Sequence, residues 1–361
     1  MLFDRESWSL LNLDLHRMQL PREVVVGNNT LELTGEICKR LGFKKSALLT
    51  MGPKTQDIAG GKIIDLLSSD GLKVDHLVVN SCNIKDIVFV EDMIDELKPQ
   101  VVLGIGGGTK IDAAKISSSH KEIPFISVPT TASHDGIASP LVSLKGLDKP
   151  YSIMAQSPMA IVADTNIIIN SSHRFTASGC ADVVAKLTAV RDWKLAHEVK
   201  NEYYGEYAAN LALMSARLVV RTANLLKPGN EEGLRVLLEA LISCGVAMSI
   251  AGSSRPCSGS EHLFSHALDQ IAPKPALHGE QCGVGTIMMA RLHNINWQQI
   301  RRTLKLVGAP TTAEELSIEP EHIVEALVRA AEIRPDRYTI LDERTLTPET
   351  AEKLAKATGV I

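Results

Sequence analysis

The sequence has little of what nucleic-acid-binding and membrane proteins need. Its 361 residues include only 6 Phe, 5 Tyr and 3 Trp, which is few for a platform on which bases stack. The 42 Asp and Glu outnumber the 38 Lys and Arg, and the net charge of −4 gives no support to a nucleic-acid or anionic-membrane partner. The longest uncharged stretch, residues 240–254, is shorter than the ~20 apolar residues of a membrane span.

Closely spaced cysteines are also absent. The six cysteines are widely and irregularly separated, and there is no C-x-x-C pair; they are Cys38, Cys82, Cys180, Cys244, Cys257 and Cys282. We interpret them as reduced thiols. The first residues, Met1 to Glu6, become charged at once, which is unlike a signal peptide. With 45% hydrophobic residues, the composition predicts a globular, cytoplasmic protein with a substantial core.

The first half of the chain alternates short β-branched runs with amphipathic segments. We expect strands at 23–26, 46–50, 76–79, 101–105 and 124–128, and helices at 30–41, 54–69, 84–97 and 109–118. This alternation predicts an α/β fold with a doubly wound parallel sheet. A further pair of runs, at 151–154 and 160–164, is expected to form a hairpin that closes the sheet domain.

After about residue 170, β-rich runs disappear and helical spacing dominates. We expect helices at 174–199, 202–226, 231–252, 258–270, 280–293, 297–307, 319–333 and 347–358. The sequence therefore predicts two domains, an α/β domain over residues 1–170 and an all-helical domain over residues 171–361.

A glycine-rich turn follows the strand expected at 101–105. In the run Gly104 to Asp112, three adjacent glycines would let a phosphate approach the backbone at the start of the next helix. The turn departs from G-x-G-x-x-G because Thr109 stands at the third glycine position. A tight βα turn without a ligand is the alternative, but the entropic cost of three glycines favours phosphate binding.

A second polar segment, Thr130 to Gly136, follows the next strand along the chain. It carries hydroxyls and the carboxylate of Asp135 to the carboxyl edge of the sheet, where open α/β sheets bind ligands. Alone it would pass for a Ser/Thr-rich loop. Beside the glycine-rich turn, it indicates the other wall of a dinucleotide crevice.

The second half contains a candidate divalent metal site. His262 and His266 stand four residues apart on one face of a helix, His278 follows twelve residues later, and Asp182 lies near the start of an earlier helix. One carboxylate with two or three imidazoles is typical of zinc. A helical His pair is more often solvated or buried in a core, and H-E-x-x-H is absent.

Some cationic residues have open interpretations. Arg255, in a turn before the His-containing helix, could hold an anionic substrate group or be an ordinary turn charge. We expect Lys54, Lys110 and Lys115 to lie on helix faces, although Lys54 could accept a 2′-phosphate.

Four motifs occur here in the same order as in one family. They are Gly106-Gly107-Gly108-x-x-x-Asp112, Pro129 to Gly136, Gly179-Cys180-Ala181-Asp182, and the series His262, His266 and His278. In these motifs the chain resembles the metal-dependent polyol dehydrogenases, a group with glycerol dehydrogenase, iron-type alcohol dehydrogenases and dehydroquinate synthase. The strings 133–140 and 253–262 resemble the archaeal sn-glycerol-1-phosphate dehydrogenase subgroup.

The resemblance implies site residues position by position. It implies one zinc ion held by Asp182, His262 and His278, with His266 beside it rather than bound to it. It implies that Asp135 and His266 are catalytic, and that both contact substrate together with Asp182; Arg255 is our own candidate for the substrate phosphate. The implied contacts to NAD or NADP are Gly106, Gly107, Gly108, Thr109, Lys110, Thr130, Thr131, Ala132, Ser133 and Ser139.

The implied activity is zinc-assisted, reversible reduction of dihydroxyacetone phosphate to sn-glycerol 1-phosphate, which supplies the backbone of archaeal membrane lipids. Glycerol dehydrogenase is the near alternative. A phosphosugar cyclase resembling dehydroquinate synthase, and a non-catalytic binding protein, are alternatives from other classes. The resemblance implies a homo-oligomer, either a dimer or an octamer. The choice between NAD and NADP and the identity of the metal stay open.

Overall fold

The computed structural model describes residues 16–144 and 151–361. Its first half is built on a six-stranded sheet in which every neighbouring pair of strands is parallel. The strand order is β1-β8-β5-β4-β2-β3. The sheet strands are β1 (Glu23–Gly27), β2 (Ser46–Met51), β3 (Lys73–Val78), β4 (Val101–Gly106), β5 (Phe125–Pro129) and β8 (Ala160–Asp164).

Helices cover the faces of this sheet, so the expected α/β fold is confirmed. The helices between strands are α1 (Thr34–Arg40), α2 (Gly61–Ser69), α3 (Ile84–Leu97) and α4 (Gly108–His120); the short α-helical segment Pro53–Thr55 and the π-helical segment Gln56–Gly60 run directly into α2. Strands β4, β5 and β8 are buried along their whole length, which explains their continuous apolar runs. The carboxyl ends of these strands meet at one edge of the sheet.

The predicted hairpin between 151–154 and 160–164 is wrong. Strand β7 (Tyr151–Met154) instead pairs antiparallel with β6 (Leu141–Leu144), a strand that we did not predict. Strand β8 enters the main sheet between β1 and β5. Every residue of β8 is buried, which fits a strand with a neighbour on each edge in a sheet whose two faces are both covered by other elements.

The second half is helical, as predicted. A short helix α5 (Thr165–Ile168) leads into α6 (His173–Lys200), α7 (Glu206–Arg221), α8 (Glu231–Ala251), α9 (Ser260–Ile271), α10 (His278–Leu292) and α11 (Trp297–Val307). The remaining helices are α12 (Ala313–Leu316), α13 (Pro320–Ile333), α14 (Ile340–Glu343) and α15 (Pro348–Thr358). The three four-residue helices α5, α12 and α14 were not predicted.

Helix α8 is long and apolar enough to cross a membrane by length and composition, but 72% of its apolar window is buried inside the fold. It packs against α7 and α6 as a core helix. One hydrophobic core joins residues on both sides of position 170, from Leu48 on β2 to Val360 near the carboxyl terminus. The domain boundary near residue 170 therefore stays a prediction. All six cysteines lie in the described part, are buried and form no disulfide.

Candidate active site

The glycine-rich turn joins β4 to α4 at the carboxyl edge of the sheet. Gly106 has φ +149°, a conformation that favours glycine. Gly107 caps α4, whose first turn presents backbone N–H groups that no helical carbonyl can reach. A Cβ atom on Gly108 would lie 1.9 Å from Nε2 of His134. The turn therefore has the backbone donors that a phosphate group requires, and the His134 ring occupies the space beside Gly108.

The second polar segment lies directly beside this turn. Strands β4 and β5 are neighbours, with Gly106 opposite Pro129, and the Thr130 N–H donates to the Gly106 carbonyl at 3.0 Å. The Thr131 hydroxyl lies 3.3 Å from where a Cβ on Gly107 would be. The two segments that the sequence analysis paired thus form adjacent walls at one edge of the sheet.

Two other residues implied as cofactor contacts lie at the margins of this crevice. The Lys110 ammonium donates to the carbonyl of Asn80, and its side chain covers Gly52 after β2. Ser139 is buried, and its hydroxyl is bonded within its own loop to the N–H and carbonyl of Leu141. The Lys110 ammonium is therefore bonded to the segment after β3, and the Ser139 hydroxyl is bonded within its own loop.

Three helices bring the implied metal ligands together. Asp182 comes from α6, His262 from α9 and His278 from the first position of α10. Nε2 of His262 lies 3.5 Å from Oδ1 of Asp182, and the rings of His262 and His278 have centroids 5.0 Å apart. A carboxylate and two imidazoles converging in a buried cluster fit a divalent cation.

A cysteine also belongs to this cluster. The Sγ of Cys282 lies 3.6 Å from Nε2 of His278, and the possible ligand atoms of His262, His278 and Cys282 all lie within 4.8 Å of one another. Burial raises the pKa of this thiol. The sequence analysis treated Cys282 only as an isolated thiol, although its position one turn after His278 was a usable signal.

A fully buried lysine, Lys186, links the carboxylates of Asp135 and Asp182. Its Nζ lies 2.8 Å from Oδ2 of Asp135 and 2.8 Å from Oδ1 of Asp182. The Asp135 N–H donates to Oδ2 of Asp182 at 2.9 Å. Sequence reasoning missed Lys186; its place one helical turn after Asp182 was the available signal. The lysine holds Asp135 of the sheet half and Asp182 of the helical half in one geometry.

The electrostatics of the cluster keep Asp182 ionised and His278 neutral. Burial lowers the pKa of His262, but neighbouring groups, Cys282, Asp182 and Glu261 among them, outweigh burial and raise this pKa well above its usual value. Burial raises the pKa of the Asp182 carboxyl, but Lys186, His262 and His278 outweigh it and hold this pKa well below its usual range. Burial lowers the pKa of Lys186, yet the Asp135 and Asp182 carboxylates raise it well above its usual value. Burial also lowers the pKa of His278, so its imidazole stays neutral and can act as a ligand.

His266 lies beside the cluster, as implied. Its ring stacks on that of His278 with centroids 5.8 Å apart. Its Nδ1 is a buried nitrogen without a hydrogen-bond partner in the described part of the chain, and the carboxylate of Asp269 is 3.8 Å away. A buried, unsatisfied imidazole nitrogen has a free-energy cost that a bound substrate hydroxyl or water would remove.

In the described structure, no contact joins Arg255 to the cluster of Asp182, His262 and His278. Its guanidinium is buried and forms a two-point ion pair with Glu202, while Nη1 donates to the carbonyl of Tyr338 at 3.0 Å. This arginine therefore holds together the segments that precede α7, α9 and α14. Lys115 is also buried, contrary to the expectation that it lies on a helix face.

The chain is similar to dehydrogenases over nearly its whole length. The family model described as iron-containing alcohol dehydrogenase matches residues 25–171. The glycerol-1-phosphate dehydrogenase (NAD(P)+) of Pyrococcus furiosus is 53% identical over 347 residues, 96% of this chain and 100% of that protein. The protein of the same name from Methanosarcina acetivorans is 54% identical over 344 residues, 95% of this chain and 96% of that protein.

Among solved structures, the chain is similar to glycerol dehydrogenase from Schizosaccharomyces pombe. The TM-score is 0.80 at 22% identity, and the match covers 96% of this chain and 91% of that one. At this identity the likeness shows the fold alone.

Proposed function

The chain belongs to the glycerol-1-phosphate dehydrogenase family, and from that premise we propose that its site reduces dihydroxyacetone phosphate with NAD(P)H. Hydride from the nicotinamide and one proton convert the C2 ketone into the alcohol of sn-glycerol 1-phosphate, and NAD(P)+ is released. The observation that carries this proposal is the position of His134. Its ring fills the space beside Gly108 on one side and lies 6.4 Å from the ring of His278 on the other.

We propose that Asp182, His262 and His278 hold one zinc ion. The support is the chemistry of the donor set and the convergence of the three side chains from separate helices, with Asp182 and His262 buried and His278 partly buried. When bound, a divalent cation supplies Lewis-acid polarisation of the ketone oxygen. The protein residues keep this charge in a water-poor environment, where it acts more strongly than at a surface.

Asp135 and His266 are our candidates for the groups that contact the reacting part of the substrate. The Asp135 carboxylate is held by Lys186 and stays partly exposed, with 15% of its side chain accessible, so it can accept a hydrogen bond from a substrate hydroxyl. His266 has a free Nδ1 with which to orient substrate or deliver a proton.

The cofactor is proposed to bind along Gly106 to Lys110 and Thr130 to Ser133, with Ser139 supporting the loop. The N–H groups at the start of α4 support a pyrophosphate there. The preference between NAD and NADP depends on the groups near the adenine ribose. Lys54 is exposed just after β2 and is our candidate partner for a 2′-phosphate.

Arg255 has the weakest support among the proposed substrate contacts, because Glu202 already neutralises it. Glycerol dehydrogenase remains the second candidate function, since it shares the fold. The close curated relatives favour the phosphorylated substrate. A cytoplasmic location, a homo-oligomeric assembly and a role in archaeal lipid synthesis are parts of the same proposal.

The decisive experiment follows NADH and NADPH oxidation by the zinc-loaded protein with dihydroxyacetone phosphate and, separately, with dihydroxyacetone. We expect oxidation with the phosphate ester alone, its loss with a chelator, and sn-glycerol 1-phosphate by chiral analysis. Oxidation with only the unphosphorylated ketone would identify a glycerol dehydrogenase. No oxidation with either ketone would favour the cyclase, in which the cofactor is recycled.

The variant Asp182→Asn is expected to reduce kcat roughly 10²-fold or more, because a loss of about 3 kcal/mol of charge stabilisation corresponds to that factor. Glu198→Gln is the matched control, since it removes an exposed carboxylate from the same helix. If Asp182→Asn retained the activity and the zinc content of the parent protein, the proposed metal site would be wrong.

A further inference from the structure

Glu261 is a buried carboxylate immediately before the proposed metal ligand His262, and no role has yet been assigned to it. Its side chain is fully inaccessible to solvent. Oε1 accepts hydrogen bonds from the Gly259 N–H at 2.7 Å and faces Nδ1 of His262 at 2.7 Å. Oε2 accepts from the Thr188 hydroxyl at 2.7 Å. Both carboxylate oxygens are thus held by groups on two different helices and the turn before α9.

The charge of Glu261 has no lysine or arginine to balance it. In residues 16–144 and 151–361, the ion-pair partner recorded for this carboxylate is His262. A buried carboxylate is costly unless a positive charge compensates it. The positive charge that compensates Glu261 must therefore lie on the imidazole of His262 or be bound to it.

The hydrogen bond from His262 to Glu261 also determines which ring nitrogen of His262 is available to bind a cation. When Nδ1 carries the proton and donates it to Glu261, the lone pair of the neutral imidazole lies on Nε2. Nε2 is the atom that faces Asp182, at 3.5 Å. Glu261 therefore selects the tautomer that a cation between His262 and Asp182 requires.

The other two imidazoles of the cluster have no such partner. Nδ1 of His278 lies 3.3 Å from the neutral hydroxyl of Ser265, and Nδ1 of His266 has no hydrogen-bond partner in the described structure. The Asp269 carboxylate is 3.8 Å from Nδ1 of His266, which is beyond hydrogen-bond distance. In the described part of the cluster, only His262 has a carboxylate, that of Glu261 at 2.7 Å, within hydrogen-bond distance of Nδ1. A carboxylate that accepts from a ligating imidazole raises the basicity of that imidazole and holds its ring.

We propose that Glu261 is a positioning residue that fixes the tautomer and orientation of His262 and strengthens its bond to the metal. This inference rests on the proposed metal site. It goes beyond that site because it assigns a role in metal affinity to a side chain that the metal itself does not touch.

The test compares zinc affinity in Glu261→Gln and Glu261→Ala with that of the parent protein, by competition with a chromophoric chelator. Gln keeps the shape and an acceptor oxygen toward Gly259 and His262, and its amide can donate to Thr188; only the charge is lost. We expect roughly tenfold weaker binding for Glu261→Gln and about 100-fold weaker binding for Glu261→Ala, the range known for such partners.

Glu280→Gln is the matched control. Glu280 is also buried and stands two residues after the ligand His278, but it pairs with Arg174 and caps α10 rather than bonding an imidazole. We expect its zinc affinity to stay within about threefold of the parent value. The ligand-field spectrum of the Co²⁺-loaded protein should change in Glu261→Gln and not in Glu280→Gln.

Each outcome decides between specific alternatives. If the parent protein binds zinc and Glu261→Gln binds it equally well with an unchanged Co²⁺ spectrum, the positioning role is wrong while the metal site stands. If both glutamine variants lose affinity equally, Glu261 has only a structural role. If the parent protein itself binds no zinc, the metal site fails and this inference fails with it.

Discussion

At the scale of single residues, the contact between Gly108 and His134 connects the cofactor side of the site with the metal side. The His134 ring occupies the space that a side chain at position 108 would fill, and its Nδ1 accepts from the Gly136 N–H at 2.9 Å. The ring is thus held between the start of α4 and the turn that carries Asp135. This arrangement requires glycine at position 108 because of the neighbouring ring, not because of its backbone angles.

Gly108→Ala is therefore expected to weaken cofactor binding. The new Cβ would lie 1.9 Å from Nε2 and 2.5 Å from Cε1 of His134, so the ring must leave its position. We expect the Kd for NAD(P)H, measured by nucleotide fluorescence, to rise about tenfold, which is ~1.4 kcal/mol.

Gly61→Ala is the control for Gly108→Ala. Gly61 begins α2, and a Cβ there would meet only the Gln56 carbonyl at 3.7 Å, an ordinary contact. We expect this variant to bind NAD(P)H normally and to gain up to about 1 kcal/mol of stability. Equal Kd values for the two variants would contradict the proposed position of the cofactor.

The sequence also could not predict contacts between residues that are far apart along the chain. Residue type and spacing made Asp182, His262, His266 and His278 candidates, and the family resemblance then selected three of them, Asp182, His262 and His278, as ligands. Thr188 and Glu261 stand 73 residues apart, and nothing in composition or periodicity indicates that they meet. Glu261 was therefore read only as part of a helical segment.

At the scale of elements, the sequence predicted helices correctly where the apolar spacing continues over several turns. It failed where a strand pairs with a segment that is distant along the chain. The helices at 84–97, 297–307 and 319–333 were predicted to within a residue, because apolar spacing over three turns is a local property. The pairing of strand β8 was predicted wrongly because it depends on which strands lie beside β8 in the folded sheet, and the local sequence does not contain that information.

The burial of charged residues in helix α4 was also not predicted from the sequence. Its residues Asp112 and Lys115 are both buried, whereas an exposed face is expected for lysines in helices. The Lys115 ammonium donates to the carbonyls of Gly136 and Leu141 at 2.8 Å each and lies 3.2 Å from Oδ1 of Asp112. These bonds fasten α4 to the turn that carries Asp135.

Lys115→Met is expected to destabilise the protein by about 3–5 kcal/mol, because it leaves the buried Asp112 carboxylate without a cation. Urea denaturation measures this change. The double variant Asp112→Asn/Lys115→Met should recover part of the loss. Lys121→Met, which removes an exposed lysine just after the same helix, should leave the urea midpoint unchanged. If the double variant were less stable than Lys115→Met, the buried pair would not be the cause.

At the scale of the whole molecule, the two halves share one core. Helix α8 packs on the turn Asp135–Ile137 and on β1, and a Cβ at Gly245 would lie 2.5 Å from the carbonyl carbon of Ala138. A Cβ at Gly179 would lie 2.0 Å from the Ala132 carbonyl oxygen. The boundary near residue 170 thus separates two architectures, and we propose that it does not separate two folding units.

This proposal predicts one cooperative unfolding transition. Hydrogen exchange measured by mass spectrometry in increasing urea should give the same limiting free energy for peptides from β4 and from α6, because Val102 of β4 and Ala181 of α6 belong to one hydrophobic core. Gly245→Ala places a methyl group at the contact between the halves, and we expect it to lower both values equally, by about 1–3 kcal/mol.

Gly285→Ala separates shared folding from a local effect. Its Cβ would lie 2.8 Å from the Phe264 ring, a contact entirely within the helical half. In two independent domains, this variant would change the free energy of the α6 peptides and leave β4 unaffected. In the single unit that we propose, β4 must lose the same free energy as α6, although no atom near β4 has changed. A difference between the two peptides would therefore establish residue 170 as a boundary between folding units.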